Sequence, residues 1–169
     1  MSGEENGITA SGKGRPRIVA GVHGTAASDA ALDWAAREAR LCRAQLHLVL
    51  ARDPAVCRRA PYAHPAAPAL GDADAVWLAG AAVRAGRMLP QGRVTTELAD
   101  GLPARILADR TAGASLLVLG AAPTGFLGPV ARACLRQSRC PVVIVVPDAG
   151  RAAAAPRPRP AAEPAASMT

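Results

Sequence analysis

Two apolar runs, Leu116-Leu117-Val118-Leu119-Gly120 and Pro141 to Val146, enclose a glycine-bearing loop and one helix-length segment. Each run is too short for a buried helix and is continuous rather than alternating, as in a strand covered on both faces. Two such strands with a helix between them pair in parallel, because the crossover returns the chain to the same end of the sheet. The first strand ends on glycine and its loop carries Gly125 and Gly128. At a strand–loop–helix junction of this kind, backbone N–H groups can face a phosphate.

The same alternation runs through the rest of the chain. Arg17 to Val22 is a first strand. After the turn His23-Gly24-Thr25, Ser28 is the expected N-cap of a helix reaching about Arg43, with Asp29 where the helix dipole favours negative charge. Leu32, Ala35, Ala36, Ala39 and Cys42 fall on one face of that helix. Gln45 to Ala51 is a second strand. Asp53 to Asp72 holds Pro54, Pro61, Pro65 and Pro68 and is expected as one long loop.

Further on, a helix is expected over Asp74 to Met88 and a more exposed third strand over Gly92 to Ala99. A short helix spans Leu102 to Thr111, with Pro103 tolerated in its first turn and Ile106 and Leu107 facing inward. Ser115 to Gly120 is the fourth strand, Pro129 to Gln137 the last helix, and Pro141 to Val146 the fifth strand.

Alternating strands and helices predict an α/β fold: a single doubly wound, five-stranded, mostly parallel and Rossmann-like sheet with helices on both faces. Ligands in such sheets sit at the carboxyl ends of the strands, where the strand order reverses. The candidate site therefore joins Gly21, Val22 and His23 to Ala51 and Arg52 and to the loop from Gly120 to Gly128. The expected domain covers residues 17–148. Residues 1–16 and the Ala/Pro/Arg-rich residues 149–169 are expected to be disordered.

Composition narrows the function. A chain of 169 residues suits one domain, and much of its 50% hydrophobic content is alanine. Trp34, Tyr62, Trp77 and Phe126 are the only aromatic residues, so the core is built from Val, Leu, Ile and close packing through Ala. The net charge of +7 invites a nucleic-acid reading. The arginines are scattered at helical spacing beside acids, however, and few aromatics exist for bases to stack on, so no specific nucleic-acid partner is expected.

No apolar run is long enough to span a membrane, and the polar start lacks the apolar core of a secretory signal. Cys42, Cys57, Cys134 and Cys140 show no metal-ligand spacing, so no metal is expected. Cys42 and Cys140 read as small buried hydrophobes, and His47 as a packing residue within its strand. A cytoplasmic protein with reduced thiols follows. No Ser/His/Asp set or paired carboxylates cluster at the strand ends, so no enzyme is expected.

Over about Arg17 to Pro147 the chain resembles the universal stress protein family. The matching pieces are Ile-Val-Ala-Gly-Val-His-Gly-Thr-Ala-Ala-Ser with Ala31-Leu32-Asp33-Trp34-Ala35, then Ala44 to Val49, Gly101-Leu102-Pro103-Ala104, Leu117 to Gly120, and Cys140-Pro141-Val142-Val143. The resemblance implies a homodimer paired through the last strand, here Val142, Val143, Ile144, Val145 and Val146. It also implies an ATP site in some members and a regulatory or partner-binding role in others.

Carried over residue by residue, the ATP positions fall on Gly21, Val22, His23, Ala51, Gly120, Gly125, Gly128 and Val130. Several depart from the family pattern. His23 stands where a carboxylate is usual, Pro123 where a second glycine is usual, and Pro129 where a hydroxyl is usual, in a shortened loop. Pro129 offers a phosphate neither an N–H nor a side-chain donor. The expected function is stress adaptation through regulatory or protein–protein contacts, with ATP binding weak or lost. The alternative is an adenine nucleotide-binding member with a shortened phosphate loop.

The tail carries a first prediction. Pro156, Pro158, Pro160 and Pro164 forbid a regular helix or inner strand there. Deleting residues 150–169 is expected to change the unfolding free energy by less than about 1 kcal/mol in urea titration.

Overall fold

The computed structural model describes residues 15–53 and 70–147. The elements in chain order are β1 (Arg17–Gly21), α1 (Ala26–Leu41), β2 (Gln45–Arg52), α2 (Leu70–Gly86), β3 (Val94–Asp100), α3 (Pro103–Arg110), β4 (Leu116–Gly120), α4 (Pro129–Gln137) and β5 (Val142–Val145). The sheet order is β3-β2-β1-β4-β5, and each neighbouring pair is parallel. The order reverses beside β1, whose neighbours are β2 and β4.

The pleat sorts side chains onto two cores. Ile18, Ala20, Leu46, Leu48 and Val118 face α1 and α2. Val19, Val49, Leu117 and Leu119 face α3 and α4, where Leu107, Ala131 and Cys134 complete the packing. Ala31, Ala35, Ala36 and Ala39 of α1 are fully buried. With one methyl per residue on that face, α1 lies close to the sheet, which offsets the shortage of aromatic volume.

Several local expectations are corrected. The N-cap of α1 is Thr25, not Ser28: Thr25 has extended backbone and its hydroxyl accepts from the Ser28 N–H. Ser28 lies inside the helix, fully buried, where its Oγ accepts from the His23 N–H at 3.0 Å. Both residues can cap, and burial decides between them.

α2 begins at Leu70 rather than Asp74, so the loop expected to reach Asp72 ends sooner. Residues 54–69, with their prolines and Cys57, lie outside the described residues, as do 1–14 and 148–169. Cys42 is exposed rather than buried: it caps the end of α1, and its thiol donates to Glu38 at 3.1 Å. That carboxylate raises the thiol pKa. Among the described cysteines Cys134 is the buried one, and burial raises its pKa.

Among the described residues no helix is long and apolar enough to cross a membrane. β5 lies at one sheet edge and β3 at the other.

Candidate functional site

A cleft of about 740 Å³ opens at the carboxyl ends of β1 and β4, beside the reversal in strand order. Gly21, Val22 and His23 form one wall and Gly120 the other, with Ala51 at the end of β2. Gly128 and Val130 close the side at the start of α4. Gly125 and Arg52, both placed in the site from the sequence, do not line it.

Gly120 is there because nothing larger fits. A Cβ at this position would collide with the backbone carbonyl of Ala27 in the first turn of α1. The glycine therefore lets β4 and α1 touch, whatever the cleft holds. Gly125 has φ +75°, and its N–H donates to the Ala122 carbonyl at 2.8 Å. The Phe126 N–H points at the Thr124 hydroxyl at 3.4 Å. The loop thus folds on itself and uses amides that a phosphate would need.

Strand-end amides are engaged as well. The Val22 N–H donates to Val49, and the Ala121 N–H donates to Val145. Gly128 is the N-cap of α4 but offers no side-chain bond, and Pro129 in the first turn has no N–H. The amides of Val130 and Ala131 follow it. They have no acceptor within the helix, because the first turn of any helix leaves its N–H groups unpaired. Among the described residues that line the cleft there is no Lys, Arg, Asp or Glu.

Among the lining residues that sequence reasoning did not name individually, Thr25, Leu107 and Phe126 stand out. Thr25 at the rim caps α1, and its hydroxyl lies 3.1 Å from His23 Nε2. Its signal was a threonine in a glycine turn just before a helix. Leu107 reaches the floor from α3. Phe126, 67% exposed at the rim, is the chain's only phenylalanine.

A family model described as the universal stress protein family matches residues 14–146. The chain belongs to the universal stress protein family. Its fold is similar to a universal stress protein solved in complex with cAMP, at 24% identity and TM-score 0.58, over 77% of this chain and 96% of that one. A member from Burkholderia pseudomallei is 26% identical with TM-score 0.56, over 79% and 97% of the two chains. One from Archaeoglobus fulgidus in complex with dAMP is 19% identical with TM-score 0.53, over 76% and 95%. No curated protein matches the sequence.

Away from the cleft, this universal stress protein carries a polar network where packing alone was expected. His47 on β2 lies 2.9 Å from Thr95 Oγ1 through Nδ1 and 2.9 Å from Glu97 Oε2 through Nε2. Arg110 at the end of α3 donates to both Glu97 oxygens, at 2.8 Å from Nε and 2.5 Å from a terminal nitrogen. Arg17 in turn donates to the Arg110 carbonyl at 3.1 Å. The network ties the β3 edge to α3.

Hydrogen bonding to Arg110 lowers the Glu97 pKa from the usual 4.5 to about 2, against desolvation and with help from His47. A depressed carboxylate stabilises the fold fully above its unfolded pKa, and that stability is lost as pH falls from about 4.5 toward 2. Glu97→Gln is expected to cost about 1–2 kcal/mol at pH 7, since Glu97 is partly solvated, and to flatten stability through this acid window. Urea titrations of both proteins at pH 7 and pH 3 check the sign.

Proposed function

We propose that this chain is a cytoplasmic universal stress protein acting in stress adaptation through regulatory or protein–protein contacts, with ATP bound weakly or not at all. One observation carries the reading: the phosphate loop spends its Gly125 and Phe126 amides on its own turn and enters α4 through Pro129. A triphosphate needs many donors at once, and the described residues of the cleft lining include no Lys or Arg to replace them.

A second reading rests on the cleft itself. Its volume suits a small ligand, and it occupies the position where such sheets bind them. Neighbours of the same fold were solved with cAMP and with dAMP. The amides of Val130 and Ala131 could serve one phosphate where they could not serve three, so an adenine nucleotide with a single phosphate is the form this reading favours.

Calorimetric titration with ATP and Mg²⁺, and separately with AMP, tests both readings. No measurable heat with either, or heat with AMP alone, is expected. An ATP dissociation constant in the low micromolar range would sink the first reading. Thermal unfolding gives an independent check, because a ligand at 100 times its dissociation constant stabilises by about 2.7 kcal/mol.

The assembly belongs to the same proposal: a homodimer through β5. The Pro141 and Val145 carbonyls accept from Leu117 and Ala121 on the β4 side. Backbone direction alternates along a strand, so Val142, Ile144 and Val146 turn their N–H and C=O groups outward at the free edge. An apolar edge of this kind invites a second strand, and a two-fold axis would let each subunit satisfy the other.

A further inference from the structure

We propose that the cleft binds an uncharged, largely apolar small molecule in the place where a nucleotide would sit. This rests on the loss of firm ATP binding proposed above and names what the cleft takes instead. Among the described residues of the lining, His23 and Thr25 bring the polar side chains, and the two lie 3.1 Å from one another. The other lining positions are glycine, alanine, proline, valine, leucine and Phe126.

The floor of the cleft is the upper edge of a hydrophobic core. Val49, Leu107 and Leu119 line it, are each 5% exposed or less, and belong to the cluster that α3 and α4 cover. Gly21 makes room for this floor: a Cβ there would meet Leu119 at 2.6 Å and Leu107 at 3.1 Å. A ligand in the cleft therefore rests on core side chains. An apolar one extends that core and takes its surface out of water.

The mouth is apolar where phosphates would need donors. Pro103 and Pro129 stand in the first turns of α3 and α4, and neither helix has a side-chain bond at its N-cap. Proline has no N–H, so two amides that would hold an anion are missing. At α1 the Ser28 N–H is bonded to Thr25, and Asp29 places a negative charge in the first turn. Burying a charged ligand against such walls without a partner is costly. The amides of Val130 and Ala131 leave donors for one acceptor, so an uncharged ring system with a single carbonyl, ether or hydroxyl oxygen fits the donor set. Phe126 leaves its ring largely in water beside this cleft, where it can cover such a molecule.

The test uses the full chain and N-phenyl-1-naphthylamine, an uncharged probe whose emission rises when it leaves water. Saturable binding of one probe per chain is expected. Phe126→Asp and Ala122→Asp each place a charge at the exposed mouth of the cleft, and each is expected to weaken binding about tenfold or more. Leu41→Asp is the control: Leu41 is 72% exposed and ends α1, away from the cleft at that helix's start. It is expected to leave the affinity unchanged.

Millimolar ATP or AMP is expected to leave the probe in place. Displacement by AMP alone would overturn the uncharged class and give the cleft to the mononucleotide of the second reading. Displacement by micromolar ATP would overturn the first reading as well. Probe binding that Phe126→Asp and Ala122→Asp do not weaken, or that Leu41→Asp weakens equally, would place the probe elsewhere and overturn the proposal. No saturable binding would overturn it too. In both of these cases the loss of ATP binding would stand, and the cleft would be left to solvent or to residues 54–69 of the same chain.

Discussion

Gly120→Ala is expected to destabilise the protein by roughly 3 kcal/mol or more, the upper range for overpacking, because its Cβ meets backbone rather than a movable side chain. The Ala27 carbonyl it would strike belongs to the first turn of α1, beside the Ser28 that holds the His23 amide. Relief would require α1 to lift from β4 and open the core between them. Gly125→Ala should cost about 1 kcal/mol, since its φ of +75° is unfavourable for alanine but the space is open. Gly128→Ala should be close to neutral, with φ −65° and nothing within 4 Å. Urea unfolding of the three proteins checks the ranking. Equal losses at Gly120 and Gly128 would mean that the strand–helix contact is not what fixes Gly120.

Ile144→Pro is expected to convert the proposed β5 dimer to a monomer. The Ile144 N–H points out of the sheet, so proline there spares the ladder to β4 and is tolerated as on other edge strands. It removes the central donor of the paired strands, and its ring blocks the approach of a second one. Val143→Pro would break the β4 ladder and should unfold the protein. A lysine at 144 would confuse the two effects, because the Ile144 side chain packs on the core beneath α4. Sedimentation equilibrium at tens of micromolar reads the result. A wild-type protein that is already monomeric would remove the case for strand pairing.

Much of the α/β architecture could be read from the chain directly. A parallel strand buried on both faces must be a short continuous apolar run, so β1, β2, β4 and β5 are visible in Ile18 to Val22, Leu46 to Ala51, Leu116 to Gly120 and Val142 to Val146. Pro103 and Pro129 mark the first turns of α3 and α4, because a missing N–H costs nothing there. Once strands and helices alternate, the fold and the ligand end of the sheet follow. The departures at Pro123 and Pro129 were legible too, since a residue without an N–H cannot donate in any fold.

Tertiary contacts settled the rest. Thr25 and Ser28 are equal as caps in the sequence, and Ser28 lost the role because packing of α1 on the sheet buried it. Cys42 continues the apolar face of α1 in the sequence, but the helix ends at Leu41 and leaves it in solvent. His47 alternates as a core residue would, yet it stands opposite Thr95 and Glu97, and hydrogen bonding replaces packing. Gly125 was a candidate as the next glycine after Pro123 in the shortened loop, and only the folded loop shows its amide bonded to Ala122. Local pattern fixes what a residue can do. Which of its possible partners it meets depends on residues distant in sequence, and that information exists only once the sheet has brought them together.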